Sequence, residues 1–127
     1  MTVELYGPYD RIVDYGDESL CADDRIEVSD LVRRFLYIES DKVIFRERRK
    51  RPNGEQHEKN DESLVVEVRE NSHIFKTELL KYVDTGLFLD QEKTRRSVEA
   101  SSFGMKVLNL FSYTGSFSVY AAYGGAE

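Results

Sequence analysis

Val107-Leu108-Asn109-Leu110-Phe111-Ser112-Tyr113-Thr114-Gly115 is the stretch whose reading decides the fold. Its first five residues are mostly apolar, as expected of a strand buried on both faces, where alternation disappears because neither face meets water. A tight turn through Ser112 to Gly115 follows, then a helix-like Ser116 to Tyr123 closed by Gly124-Gly125. Strand, glycine-containing turn and helix in that order open a Rossmann-like sheet, in which ligands bind at the carboxyl ends of the strands. Gly115 suits such a place because a residue without Cβ lets a ligand approach the backbone, and the helix behind it offers free N–H groups. One glycine is not a GxGxxG fingerprint, so spacing alone leaves a plain strand-turn-helix connection equally open.

Working upstream, Asp90 is placed to cap a helix from Gln91 to about Ser101, and Gly104 lies where helices commonly stop. Before it, Lys42 to Phe45 and Leu64 to Val68 predict two strands of a hairpin with a long polar tip, and Ile74 to Leu79 a third strand after the turn-like Glu70-Asn71-Ser72. Val28, Leu31, Val32, Phe35 and Leu36 follow helical spacing, with Ser29 or Asp24 as N-terminal cap and Ser40-Asp41 as a polar stop. Val3 to Tyr15 gives only a weak strand or turn signal. The chain is therefore expected to be α/β: a small α+β accessory segment over residues 1–81, then the start of a Rossmann-like sheet over 82–127.

The 127 residues, 40% hydrophobic and 33% charged, describe a globular chain with a heavily charged surface. No apolar run approaches the roughly 18 to 20 residues a membrane span needs, and Met-Thr-Val-Glu-Leu does not open a signal peptide, so no membrane partner and a cytoplasmic location are expected. Cys21 is the only cysteine, which excludes an internal disulfide, and a partly buried structural role is expected for it. His57 and His73 have no ligand-spaced partner, so no metal is expected. The net charge of −6 argues against nonspecific polyanion binding by the whole surface but leaves room for a local basic patch. Arg46, Arg48, Arg49, Lys50 and Arg51 surround the single acid Glu47 and form such a patch. Strand alternation would send Arg46, Arg48 and Lys50 to one face, to track a phosphate backbone or to serve as a solvated strand edge.

YVDTGLFLDQEKTRR (residues 82–96) followed by VLNLFSYTGSFSVYAAYGGA (107–126) closely resembles the bacterial large-subunit ribosomal RNA methyltransferases that include the guanine-N7 enzyme and its cytosine-C5 relatives. More loosely, KVIFRERRK and the downstream LVVEV are similar to the β-rich accessory segment that precedes the catalytic domain in that family. The resemblance implies a class I methyltransferase fold whose first motif places Asn109, Phe111, Ser112, Tyr113, Thr114 and Gly115 around S-adenosyl-L-methionine. It also implies a segment over the cofactor from which Asp90, Gln91 and Arg95 are drawn, with the Arg95 guanidinium facing the methionine carboxylate. It implies ribosomal RNA as partner, held by Arg46, Arg48, Arg49, Lys50 and Arg51.

Each role has a plainer competitor. Asp90 also reads as a helix cap, Arg95 and Arg96 as a solvated helix face, and Phe111 and Phe117 as core residues. The family pattern further calls for an acid at the end of a second strand and an Asp-Pro-Pro or Asn-Pro-Pro motif, neither of which is in these residues. The chain is thus expected to be a fragment of an rRNA-methylating enzyme, without a catalytic residue and with weak cofactor binding on its own. The alternative is a non-enzymatic RNA-binding or interaction module built on the hairpin, and a different nucleotide-binding Rossmann protein is a third reading. Target nucleotide, methylated atom and oligomeric state are not written in the sequence.

Overall fold

The structure, a computed structural model, describes residues 1–48 and 61–127. It is a mixed α/β chain that divides into two compact units, one formed by Met1–Val66 and Glu78–Val83, the other by Glu67–Thr77 and Asp84–Glu127. Residues 67–77 thus pack with residues 84–127.

In the first unit, β1 (Thr2–Tyr6) and β2 (Tyr9–Asp14) form an antiparallel hairpin with Tyr6 opposite Tyr9. The two-residue turn is Gly7-Pro8, and Gly7 takes φ of 62°, which a glycine at the first position of a tight hairpin turn adopts without steric cost. A fifteen-residue helix α1 (Ala22–Leu36) then carries the chain to β3 (Val43–Glu47), which runs parallel to β2 from Asp10–Val43 to Asp14–Glu47. This is a β-α-β crossover, since parallel neighbours cannot be joined by a tight turn.

The expected hairpin between Lys42–Phe45 and Leu64–Val68 is not formed: β3 pairs with β2, while β4 (Val65–Glu70) pairs with β5 (His73–Glu78) in a separate two-stranded sheet. Charge concealed the central strand. Asp10 to Asp14 is wholly buried, yet three of those five residues are ionisable. Arg11 is accommodated there by an ion pair to Glu4 at 3.2 Å and by donating to the Tyr82 and Val83 carbonyls. Ile12 and Val13 supply the apolar centre. Burial raises the Asp10 carboxyl above its usual range.

Helix α1 starts several residues earlier than its apolar spacing suggested. Neither Ser29 nor Asp24 is its cap; the Cys21 sulfur accepts from the Asp24 N–H at 3.3 Å, so this exposed cysteine terminates the helix and is not partly buried. Asp23 and Asp24 in the first turn and Arg33 and Arg34 in the last complement the helix dipole. Arg25 pairs with Glu47 at 2.5 Å and lies 5.8 Å from the Phe45 ring, pinning the helix to β3.

In the second unit, the turn of the β4–β5 hairpin uses Asn71 at φ 54°, a left-handed conformation that Asn tolerates better than most residues. A 3-10 turn at Leu89–Gln91 leads into α2 (Glu92–Ser101), and α3 (Ser116–Tyr123) packs on α2. Asp90 does not cap α2; its carboxylate accepts from the Gln91 side chain, and the helix begins through the 3-10 turn with no side-chain cap. At the end of α3 the backbones come so close that a Cβ on Gly124 would lie 2.1 Å from the Glu99 carbonyl oxygen.

The core of this unit is polar at its centre. Arg95 is 0% exposed and forms a bidentate pair with Glu70, Nε to Oε1 at 2.7 Å and Nη2 to Oε2 at 2.6 Å. Its guanidinium lies 5.9 Å from the rings of both Phe117 and Tyr120. The buried Tyr120 hydroxyl donates to Glu70 at 2.9 Å and accepts from Asn71 at 3.0 Å. Burial pushes the Tyr120 pKa up, so the phenol remains a donor. His73, expected at a strand edge, is also buried, with Nε2 2.8 Å from Glu99 and its ring against Tyr120 and Tyr123.

Residues 107–111, expected as a buried strand, have no strand partner among the described residues, and Leu110 and Phe111 already belong to a turn. A strand is held by its ladder; without one, the apolar residues stay in water, with Leu108 81% and Leu110 70% exposed.

Two predictions follow from this packing. Removing Arg95 leaves the Glu70 carboxylate buried and uncompensated, so Arg95→Ala should cost about 3–5 kcal/mol in urea unfolding. Arg96→Ala, at an exposed residue whose guanidinium is 3.8 Å from Glu92, should cost less than about 1 kcal/mol, and equal losses would contradict the buried pair. In the first unit, burial would raise the Glu78 pKa, but hydrogen bonds from Ser63 and from the N–H groups of Lys81, Leu64 and Leu80 outweigh it and hold the carboxyl at about 2. A carboxyl depressed in this way stabilises the fold above its ordinary value of 4.5 and loses that contribution as pH falls towards 2. Glu78→Gln should therefore flatten the loss of stability across that window, read as urea midpoints at its two ends; an unchanged slope would exclude Glu78 as the group responsible.

Candidate functional site

Among the described residues, the turn after residue 109 gathers the most left-handed backbone. Phe111 at φ 58°, Tyr113 at φ 50° and Gly115 at φ 79° place every second residue in the left-handed region. For a bulky side chain such a conformation costs on the order of 1–3 kcal/mol and persists only where surrounding contacts impose it. Here the contacts are visible. The Gly115 N–H donates to the Ser112 carbonyl at 2.7 Å, the Thr114 hydroxyl donates to the Gly86 carbonyl at 2.6 Å, and the Asn109 amide donates to Ser118 of α3 at 2.9 Å. The Phe88 and Tyr113 rings lie 5.5 Å apart at 33°.

Gly115 is the pivot. A Cβ built there meets nothing within 4 Å, so its side faces open space, and α3 begins at this residue with no side-chain cap. The first N–H groups of α3 are thus left to solvent or to a ligand. The arrangement offers backbone donors, a close-approach surface and half-exposed aromatic rings, which is what a nucleoside-bearing ligand with a polar tail requires. Burial raises the Tyr113 pKa, the nearby Asp84 raises it further, and a hydrogen bond from the Gly86 backbone opposes both.

The structure brings Asn109, Ser112, Tyr113, Thr114 and Gly115 into one turn, with Phe111 projecting fully into solvent. Gln91 is half-buried at the start of α2 and is engaged with Asp90. Arg95 is not available to a ligand carboxylate: the carboxylate it holds is that of Glu70, and its side chain has no exposed surface. The expected partner of Arg95 was the methionine carboxylate of the cofactor; in the structure its guanidinium holds Glu70, 25 residues upstream on β4. Gly86 and Phe88, which hold and face the turn, were not singled out, although both stand in the quoted Tyr82–Arg96 stretch.

Of the basic patch, Arg46 lies on β3, and burial followed by the charge of Arg11 lowers its pKa. Arg46 itself is half-buried. Arg48 follows the strand, half-buried, its N–H donating to the Asp14 carbonyl at 2.8 Å. Arg49, Lys50 and Arg51 lie outside the described residues. Among the described residues, no cluster of three or more metal-ligating side chains occurs and no helix is long and apolar enough to cross a membrane.

Residues 30–127 match the model of the S-adenosylmethionine-dependent methyltransferase family. Among curated proteins, the ribosomal RNA large subunit methyltransferase K/L of Colwellia psychrerythraea is 40% identical over 99% of this chain and 18% of its own length. The protein of the same name from Shewanella oneidensis is 47% identical over 71% of this chain and 13% of its own length. The chain thus spans less than a fifth of the length of these relatives. Among solved structures, a protein described as a methyltransferase complexed with S-adenosylhomocysteine superimposes with a TM-score of 0.71 at 28% identity, over 98% of this chain and 32% of that one. A Streptococcus mutans protein described as SAM-dependent gives 0.70 over the same shares. The strained turn with its open glycine lies inside the matched residues, and the chain belongs to the S-adenosylmethionine-dependent methyltransferase family.

Proposed function

We propose that this chain carries the cofactor-binding turn of a cytoplasmic enzyme that methylates large-subunit ribosomal RNA, of the guanine-N7 or cytosine-C5 type. The observation that carries the reading is the turn from Asn109 to Gly115, strained at three positions and open beside Gly115, at the uncapped start of α3. S-adenosylmethionine, when bound, supplies an electrophilic methyl group whose transfer leaves the bonding pair on sulfur.

The chain's own residues position it. Asn109 fixes the run to α3 through Ser118, Thr114 fixes the turn to Gly86, and Ser112 closes it on the Gly115 N–H. Phe111 and Tyr113 flank the ligand space, and Gln91 lies at its border. Arg95 acts through packing: its pair with Glu70 and its place against Phe117 hold the first turn of α3. The RNA-facing role falls to Arg48, Arg49, Lys50 and Arg51, with Arg46 adding positive potential from within the sheet.

Two measurements test the reading. In amide NMR titrations, S-adenosylmethionine should shift the resonances of residues 109–118, and Gly115→Val should abolish the shifts while the spectrum stays that of a folded protein. Retained binding in the variant would remove Gly115 from the site. For the RNA, affinity for a large-subunit rRNA fragment should fall steeply with salt. The double variant Arg48→Ala, Lys50→Ala should make that dependence shallower by about one unit of slope per lost phosphate contact. Affinity unchanged by both substitutions at low salt would exclude the patch as the contact surface.

A further inference from the structure

Helix α1 carries more apolar surface than its packing in this chain uses, and none of its fifteen residues is buried. Arg25 and Val32 are half-buried, Arg25 through its pair with Glu47 of β3. Beside that packed side, Val28, Leu31 and Phe35 succeed one another at intervals of three and four residues, the spacing by which one helix meets another along a seam. Leu31 is 67% and Phe35 79% exposed, and Val28 is half-buried. An open hollow of about 590 Å³ lies along this stripe, with Glu27, Val28, Leu31 and Arg34 in its wall.

The charges next to the stripe identify its occupant. Glu27 and Arg34 stand immediately before Val28 and Phe35, and so flank the seam on the side away from Arg25 and Val32. Both are exposed, and among the described residues neither has an ion-pair partner, whereas Arg33 is held by Asp30 at 3.3 Å. An identical helix laid antiparallel on such a seam brings the same flanking positions of the two copies together. Arg34 then meets Glu27 of the second copy, and Glu27 its Arg34, as a self-complementary two-fold interface requires. We propose that this face of α1 pairs with α1 of a second copy, antiparallel across a two-fold axis, with Val28 and Leu31 interleaved and the Glu27–Arg34 pair formed twice. Phe35 of each copy lies over the first turn of the other. So short a seam gives a weak dimer that forms as concentration rises. The inference is independent of the cofactor and RNA readings above.

Sedimentation equilibrium of the whole chain, from micromolar to millimolar concentration, tests it. The unsubstituted chain should pass from monomer to dimer. Glu27→Arg or Arg34→Glu sets like charges opposite one another at both symmetric contacts and should weaken the dimer about tenfold. Mixed in equal amounts, the two single variants should associate with each other as tightly as the unsubstituted chain does with itself, because each then supplies the charge that the other needs. Leu31→Gln should remove the dimer while the circular dichroism of the monomer stays unchanged. A chain that remains monomeric to millimolar concentration would overturn the proposal. So would a dimer that survives Leu31→Gln, that neither reversal weakens, or that the mixture fails to restore, since association would then run through another surface. Glu27 and Arg34 are exposed and unpaired in the single copy, so the reversals leave its own packing intact.

Discussion

Glu70 and Arg95 hold one another inside the second unit, and most of what is ordered around the ligand turn can be traced to that pair. Neither charge could stay out of water alone. Together, with two short parallel hydrogen bonds, they tolerate burial, and the remaining capacity of Glu70 is taken by Tyr120. The cost of dehydrating two ions leaves such a pair with little net stabilisation, but it imposes a single arrangement. Because Glu70 ends β4, Arg95 sits on α2 and Tyr120 on α3, three elements are held in register by one salt bridge. The aromatic faces of Phe117 and Tyr120 complete the enclosure.

The turn itself is a consequence of that rigidity. Two bulky residues, Phe111 and Tyr113, hold left-handed conformations that a free peptide would abandon. They can do so because α3 is anchored from below and the Gly86 carbonyl takes the Thr114 hydroxyl from the side. A backbone held open before a ligand arrives has less ordering entropy to lose on binding. The first unit solves a different problem with similar means, burying Arg11 in its central strand by giving it Glu4 and two carbonyl oxygens.

What the sequence disclosed depended on whether an element is explained by its own residues. Helices α2 and α3 and strand β5 were readable because their spacing, and for the helices their glycine ends, are local. Strand β2 was not, since Asp10, Arg11 and Asp14 imitate a surface segment, and the Tyr82 and Val83 carbonyls that receive the buried Arg11 lie 71 and 72 residues away. The β3–β4 pairing was misread for the same reason: two adjacent apolar runs suggest a hairpin, and only the crossover through α1 shows that β3 belongs beside β2. Of the site, the turn from Asn109 to Gly115 stood out as a motif. The true occupant of the Arg95 fork did not, because a carboxylate 25 residues away leaves no periodic trace. Cys21 as a helix cap was likewise outside the usual set of Ser, Thr, Asp and Asn.

The extended run before the turn has a consequence for how the molecule behaves in concentrated solution. Met105, Val107, Leu108 and Leu110 are each at least 45% exposed along one stretch without a ladder partner. Apolar side chains exposed on backbone that joins no ladder make a template for another copy's identical segment. The chain is therefore prone to self-association through these residues. A single lysine at Leu108, whose side chain is almost entirely in water, would discourage such stacking without touching the bonds that shape the turn.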